Sequence, residues 1–142
     1  METIISNLGW IFLVLFFGAI FLYKKITNNK EALTSKFSAK KILPFNLNES
    51  LGLCQKTLEN ARFTKVVLDS KENRLQSQNG FSMKSWSEFI QVKAVAINGS
   101  TEIKFKSICA VPTQIYDWGK NKKNYKRFET ELNKLTAFKK VA

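Results

Sequence analysis

The chain has 142 residues, 44% of them hydrophobic, and a formal net charge of +12 from 23 Lys and Arg against 11 Asp and Glu. This length suits one domain with a packed core, and the positive charge favours lipid headgroups, nucleic acid or an acidic protein surface as partners. The chain has no histidine, and Cys54 and Cys109 lack the spacing of metal ligands, which argues against a zinc site and a histidine-based proton shuttle.

Residues 1–23 are predicted to form a transmembrane anchor. The run from Ile4 to Tyr23 has twenty residues without a charge, about the length that crosses a hydrocarbon core of roughly 30 Å. The alternative is a cleaved signal peptide, but a basic leader and a small-x-small cleavage site are missing, and Lys24 and Lys25 follow instead. We therefore expect an anchor that is not cleaved.

Charge asymmetry around this segment predicts its orientation. No Lys or Arg precedes it, whereas six lysines follow soon after: Lys24, Lys25, Lys30, Lys36, Lys40 and Lys41. The positive-inside rule then predicts a single-pass protein of the cell membrane with its N-terminus outside and its C-terminal domain in the cytoplasm, where the cysteines stay reduced. Residues 24–47 are predicted to be a basic juxtamembrane linker along the inner leaflet; alternatively, their lysines only fix the topology.

Residues 48–137 are predicted to form a soluble domain, followed by a tail at 138–142. Its first helix is expected to begin at Asn48, which can cap it. Apolar positions then recur at offsets of three, seven and ten, as on one face of a helix: Leu51, Cys54, Leu58 and Ala61. Cys54 is therefore expected to be an inert buried thiol. Two β-favouring runs, FTKVVLDS and NRLQSQ, come next.

A hairpin is predicted around the Asn-Gly pair in INGS, residues 97–100, because both turn positions favour a positive φ. Folding the strands about it places Val92 opposite Phe105 on an apolar face and Lys93 opposite Lys104 on a mostly polar face. We predict an α+β fold: after the transmembrane helix come a helix, a four-stranded antiparallel sheet, and a helix, with the soluble domain's helices on the apolar face.

The last helix is expected to begin near Asp117 or Asn121, either of which can cap it. Its apolar face repeats the same helical spacing: Tyr125, Phe128, Leu132 and Leu135.

This ending resembles that of a widespread bacterial domain family of unknown function, whose members have a strand, a serine-containing loop, and D-x-G-x-N before a basic amphipathic helix. The matching residues are Lys106, Ser107, Asp117, Gly119, Asn121, Lys123 and Phe128. The resemblance extends from about Glu49 to Leu135 and implies a shared fold and domain extent. The family brings no known chemistry.

Several lysines crowd the first turns of this last helix, where the helix dipole is already positive. One hypothesis is an anion-binding cluster, since helix N-termini bind phosphate or carboxylate; it comprises Lys120, Asn121, Lys122, Lys123 and Lys126. The alternative is a solvated face, with Asp117, Trp118 and Gly119 as a cap and Trp118 filling the core. Lys93 opposite Lys104 would form a second basic surface that favours an anionic neighbour.

Glu88 shares its side of the strand with Trp86 and Ile90, which would bury it as a paired carboxylate. We instead expect a bulge near Ser87 to turn it outward.

No nucleophile with a base, convincing carboxylate pair or phosphate-binding glycine loop is recognisable in the sequence, so we expect neither enzymatic activity nor a cofactor. The predicted function is a membrane-anchored basic module that binds an anionic lipid surface or a partner protein. The alternative is a small amphiphile or lipid held between helices and sheet around Trp86, Phe105 and Phe128. Nucleic-acid binding ranks third, because no recognised motif accompanies the charge.

Overall fold

The computed structural model describes residues 2–80 and 87–141. In these ranges the elements are α1 (Glu2–Ile26), β1 (Lys36–Leu43), α2 (Leu47–Asn60), β2 (Thr64–Asp69), β3 (Arg74–Asn79), β4 (Glu88–Ile97), β5 (Ser100–Cys109) and α3 (Lys120–Val141). The strands form one antiparallel sheet in the order β1-β5-β4-β3-β2. The predicted α+β class is confirmed.

The sheet has five strands, so the predicted number of four is wrong. The additional strand, β1, lies within residues 24–47, where we predicted a linker, and pairs with β5 along its whole length. The sequence of β1 lacks the apolar and polar alternation of a strand, because Lys41 occupies a position on the face of the sheet that packs against the helices. The long side chain runs out from there, and its ammonium reaches Glu129 at 3.6 Å and Asn133 at 2.6 Å.

The predicted hairpin register is confirmed. Val92 pairs with Phe105 and Lys93 with Lys104. Asn98 and Gly99 have φ values of 43° and 81°, as a tight hairpin turn requires. The apolar face of β4 and β5 is thereby turned toward the helices.

The core lies between the sheet and the helices α2 and α3. Helix α2 begins at Leu47 and is capped by Asn46, whose side-chain oxygen accepts a hydrogen bond from the Glu49 amide at 3.0 Å. The cap is thus two residues before the predicted Asn48. The predicted apolar face of α2 is buried, and burial raises the pKa of Cys54 to about 12, consistent with an inert thiol.

Helix α3 packs against the sheet through Phe128 and Leu132, both fully buried. The rings of Phe128 and Phe105 have centroids 5.0 Å apart. The helix continues to Val141, through most of the predicted tail at 138–142.

Helix α1 differs from the other helices in composition and in burial. From Leu8 to Ile26 it is long and apolar enough to cross a membrane, with a mean hydropathy of 1.7, and only 11% of this stretch is buried in the chain. A signal sequence near an N-terminus meets the same criterion of length and composition. Among the described residues, the main hydrophobic cluster runs from Leu43 to Leu132 and includes no residue of α1.

Replacement of Phe128 by alanine should lower the free energy of unfolding by about 3–5 kcal/mol, because it leaves a cavity in the core. The measurement is urea denaturation of residues 28–142, which contain this whole cluster. Phe138→Ala is the control: its ring is 76% exposed, so the change should stay within about 0.5 kcal/mol. Equal losses for the two variants would contradict this packing.

Candidate functional site

One end of the domain lies beside the C-terminal end of α1, and we call it the α1-proximal end. Here β1 begins, β5 ends and α3 begins. The amide of Ser35 donates to the Gln114 carbonyl at 2.8 Å, and the Cys109 amide donates to the Ser35 carbonyl at 3.0 Å. The ammonium of Lys24, in the last turn of α1, donates to the Pro112 carbonyl. The loop at residues 110–119 therefore lies next to the end of α1.

Asp117 caps α3, as predicted for one of the two candidate caps. Its carboxylate accepts hydrogen bonds from the amides of Gly119 at 3.1 Å and Asn121 at 2.7 Å, and its carbonyl accepts one from the Lys120 amide at 2.9 Å. Gly119 has a φ of 74°, which glycine adopts without strain. The amides of Gly119 and Asn121 therefore already have an anionic partner within the chain, and the Lys120 amide already has a carbonyl partner.

Asn121, predicted to belong to the anion-binding cluster, is only 1% exposed. Its side-chain oxygen accepts a hydrogen bond from the Ser107 hydroxyl at 2.6 Å, and its side-chain amide donates to the Ser35 carbonyl at 3.1 Å. Asn121 therefore fastens α3 to β5 and to the start of β1, and is not part of the surface. Trp118 is 75% exposed, so the interpretation that it fills the core is wrong.

Glu88 is fully buried, so the expectation that it turns outward is wrong. One carboxylate oxygen accepts hydrogen bonds from the side-chain amides of Asn79 at 2.9 Å and Asn124 at 3.2 Å. The other lies 3.9 Å from the Lys120 ammonium. The residue before it, Ser87, has a φ of 128°. Buried amide donors and a nearby cation stabilise this carboxylate inside the domain, so it need not reach solvent.

Lys122, Lys123 and Lys126 remain as exposed cations of the predicted cluster. Within the parts of the chain that the structure describes, no carboxylate lies within 4 Å of these ammonium groups. Lys120 lies half-buried and faces Glu88. The predicted cluster is therefore divided: Lys120 and Asn121 face the interior, whereas Lys122, Lys123 and Lys126 are exposed.

An open groove of about 610 Å³ runs along α3 beside the end of β3. Its lining is polar and basic: Asn79, Gly80, Lys120, Lys123, Asn124, Lys126, Arg127 and Thr130. Arg127 is not among the site residues predicted from the sequence, although it follows Lys120 and Lys123 at offsets of seven and four, on one helix face.

The Arg127 guanidinium lies 4.1 Å from the centroid of the Phe63 ring and donates to the side-chain oxygen of Asn79 at 3.2 Å. Partial burial lowers the pKa of Arg127, but a guanidinium remains charged in proteins. These contacts hold one cation in a fixed position in the groove.

The lysines on the outer face of the sheet are paired within the chain. Lys93 lies 3.6 Å from Glu72, and Lys104 lies 3.2 Å from Glu102. Lys106 pairs with Glu31, and its hydrogen bond is the main reason that the pKa of Glu31 is lowered. The sequence predicts that this basic surface favours an anionic neighbour, but these lysines already have carboxylate partners from their own chain.

The space between α3 and strands β1 and β5 is filled. The gap beside Phe105 and Phe128 does not admit a water molecule, and Trp86, the third residue of the predicted amphiphile site, lies outside the described residues. Among the described residues, no group of three or more Cys, Asp or Glu side chains is placed to hold a metal ion.

No family model matches the chain, and no curated protein matches it; the resemblance to the D-x-G-x-N family stays a prediction. A solved structure shares the architecture. Ara h 8.0201 superposes with a TM-score of 0.51 at 8% identity, covering 72% of this chain and 95% of that chain. TTHA0849 from Thermus thermophilus superposes with a TM-score of 0.42 at 11% identity, covering 72% of this chain and 97% of that chain. The first likeness shows the α+β fold, and the fold alone.

Replacement of Asp117 by alanine should destabilise residues 28–142 by about 1 kcal/mol, because the first amides of α3 lose their acceptor. Asp117→Asn, which retains one side-chain acceptor, should cost less. Urea denaturation measures both changes. An alanine variant as stable as the unmodified chain would contradict the capping role of Asp117.

Proposed function

We propose that this chain is a non-enzymatic, single-pass membrane protein whose α+β domain binds an anionic lipid surface through the first turns of α3. One observation carries the proposal: the exposed cations of these turns lie at the end of the domain to which the apolar helix α1 is tied. Asn121 connects the start of α3 to Ser35, and Lys24 connects the end of α1 to Pro112. If α1 spans a bilayer, the start of α3 faces its headgroups.

The direction of α3 separates its two groups of exposed lysines. A helix of 22 residues is about 33 Å long. Lys122 and Lys123 lie at the α1-proximal end, whereas Lys139 lies near the opposite end, 3.1 Å from Glu49. The distance between the two groups exceeds the screening length of about 8 Å at physiological salt. A surface beside α1 would therefore attract the first group much more strongly than the second.

Such a surface explains why cations crowd a helix N-terminus. Each costs a few tenths of a kcal/mol against the helix dipole, and Asp117 offsets part of that cost locally. A lysine near an anionic leaflet contributes about 1 kcal/mol of attraction. Binding to lipid thus outweighs the intramolecular penalty, provided that the charges reach the headgroup layer.

The lysines that follow α1 support the same orientation. They follow the apolar stretch in the chain, and none precedes it. The positive-inside rule therefore assigns the C-terminal end of this stretch to the cytoplasmic side of the membrane. In the proposed orientation the domain lies beneath the inner leaflet, where anionic lipids are concentrated. An acidic partner protein at the same surface is the competing occupant.

The test is co-sedimentation of residues 28–142 with vesicles of phosphatidylcholine alone or mixed with phosphatidylserine. We expect binding only to the mixed vesicles and release by salt. Neutralising two charges with Lys122→Gln and Lys123→Gln should weaken binding about 30-fold at low salt, from about 1 kcal/mol for each lysine.

Lys139→Gln and Lys140→Gln form the matched control, with the same loss of charge on the same helix. Glutamine is used instead of an acidic residue because a carboxylate at position 139 would lie beside Glu49. The control should bind almost as well as the unmodified domain. Binding that ignores phosphatidylserine, or equal losses for the two double variants, would exclude the lipid surface and leave the acidic protein as the partner to seek.

A further inference from the structure

The loop at residues 110–119, which we call the aromatic loop, exposes three large apolar side chains. Ile115 is 48%, Tyr116 is 66% and Trp118 is 75% exposed. The rings of Tyr116 and Trp118 meet edge to face, with centroids 5.0 Å apart. Aromatic residues of this size normally bury most of their surface. Two of them exposed side by side therefore indicate a surface that is covered by a binding partner, such as a lipid bilayer or another protein.

The backbone holds this loop in a defined position. The Gln114 carbonyl accepts a hydrogen bond from the Ser35 amide, and the Gln114 amide donates to the Val111 carbonyl at 3.0 Å. Asp117 then binds the first amides of α3. Trp118 itself adopts a φ of 52°, a left-handed conformation that is strained for a residue with a side chain. The chain thus accepts strain at a residue whose ring has little contact with the core.

The aromatic loop lies at the level where the apolar stretch of α1 ends. The Lys24 ammonium, directly after the charge-free run, donates to the Pro112 carbonyl and to the Thr34 hydroxyl, the latter at 2.7 Å. Thr34 also donates to Pro112. Beside Thr34 in the chain, Leu33 is 46% exposed. An additional exposed apolar residue therefore lies in the segment that holds the loop against α1.

We propose that Ile115, Tyr116 and Trp118 insert into the interfacial layer of the bilayer that α1 spans, as a second contact that fixes the rotation of the domain; this rests on the membrane anchoring in the proposed function. Tyr and Trp favour this layer because an apolar ring and a polar hydrogen-bonding group are accommodated together. The bilayer is the occupant because α1, joined to the loop by Lys24, brings lipid to it.

Insertion of the loop would also orient Lys122 and Lys123 toward the lipid headgroups. Trp118 precedes Lys122 and Lys123 by four and five residues, on the same rigidly capped start of α3. With the indole in the interface, the following turn of the helix is held at the headgroup layer. Apolar insertion and charge attraction then act on adjacent residues.

The experiment uses the full chain in phosphatidylcholine nanodiscs, with Trp10→Phe and Trp86→Phe so that Trp118 is the remaining tryptophan. Emission is measured with unmodified lipid, with lipid brominated on its acyl chains, and with aqueous iodide. The matched control carries Phe138→Trp and Trp118→Phe in the same background, since Phe138 is equally exposed at the far end of α3.

We expect brominated lipid to quench Trp118 roughly twofold and iodide to have little effect, as for a ring in the interface. The control tryptophan at position 138 should show the reverse. Two outcomes would overturn the proposal: quenching of Trp118 by iodide as strong as in the control, or protection from iodide without quenching by brominated lipid. The second would indicate that another copy of the chain or a protein covers the loop.

The choice of lipid separates this proposal from the charge-based one. Phosphatidylcholine carries no net charge, so quenching of Trp118 does not require the lysines to bind phosphatidylserine. Adding Lys122→Gln and Lys123→Gln should leave the quenching within about a tenth of its value, because α1 keeps the loop at the bilayer. Quenching of Trp118 in the nanodiscs, combined with co-sedimentation of residues 28–142 that does not depend on phosphatidylserine, would overturn the proposed headgroup binding alone.

Discussion

The arrangement of the domain depends on the hydrogen bonds of one residue, Ser35. Its carbonyl accepts from the Cys109 amide at the end of β5 and from the Asn121 side chain at the start of α3, and its amide donates to Gln114 in the aromatic loop. Backbone groups buried at such a junction must be paired. The residue that leads from α1 into the sheet therefore also sets where β5 ends, where the loop runs and where α3 begins.

The charges of the chain fall into two classes once this junction is in place. On the outer face of the sheet, Lys93, Lys104 and Lys106 are matched by carboxylates within the chain. At the start of α3, Lys122 and Lys123 have no such partner among the described residues. The carboxylate of Asp117, which caps this helix, already accepts hydrogen bonds from backbone amides. A net charge says little about function until the paired cations are separated from the others, and Lys122 and Lys123 are two of the others that lie at the α1-proximal end.

The sequence predicts those parts of the fold that depend on local periodicity. The helix faces and the register of β4 with β5 follow from spacing and from Asn98-Gly99, and the structure confirms them. Strand β1 was missed because Lys41, on the side that faces the helices, reaches solvent through its length and so breaks the apolar alternation.

The missed parts of the site depend on contacts between distant segments. Glu88 stays buried because Asn79 and Asn124, from β3 and α3, donate to it. Asn121 is internal because Ser35, the residue directly before β1, supplies a carbonyl acceptor, and β1 was not foreseen. The exposure of Trp118 follows from the cap geometry at Asp117 and Gly119. In contrast, Arg127 was detectable, since it shares a helix face with Lys120 and Lys123.

Both proposals depend on α1 crossing the membrane, and the first also places the domain on the cytoplasmic side. Protease added to intact cells that produce the full chain with a C-terminal epitope tests this most directly. We expect the tagged domain to stay intact until the membrane is permeabilised. Digestion of the domain in intact cells would contradict it.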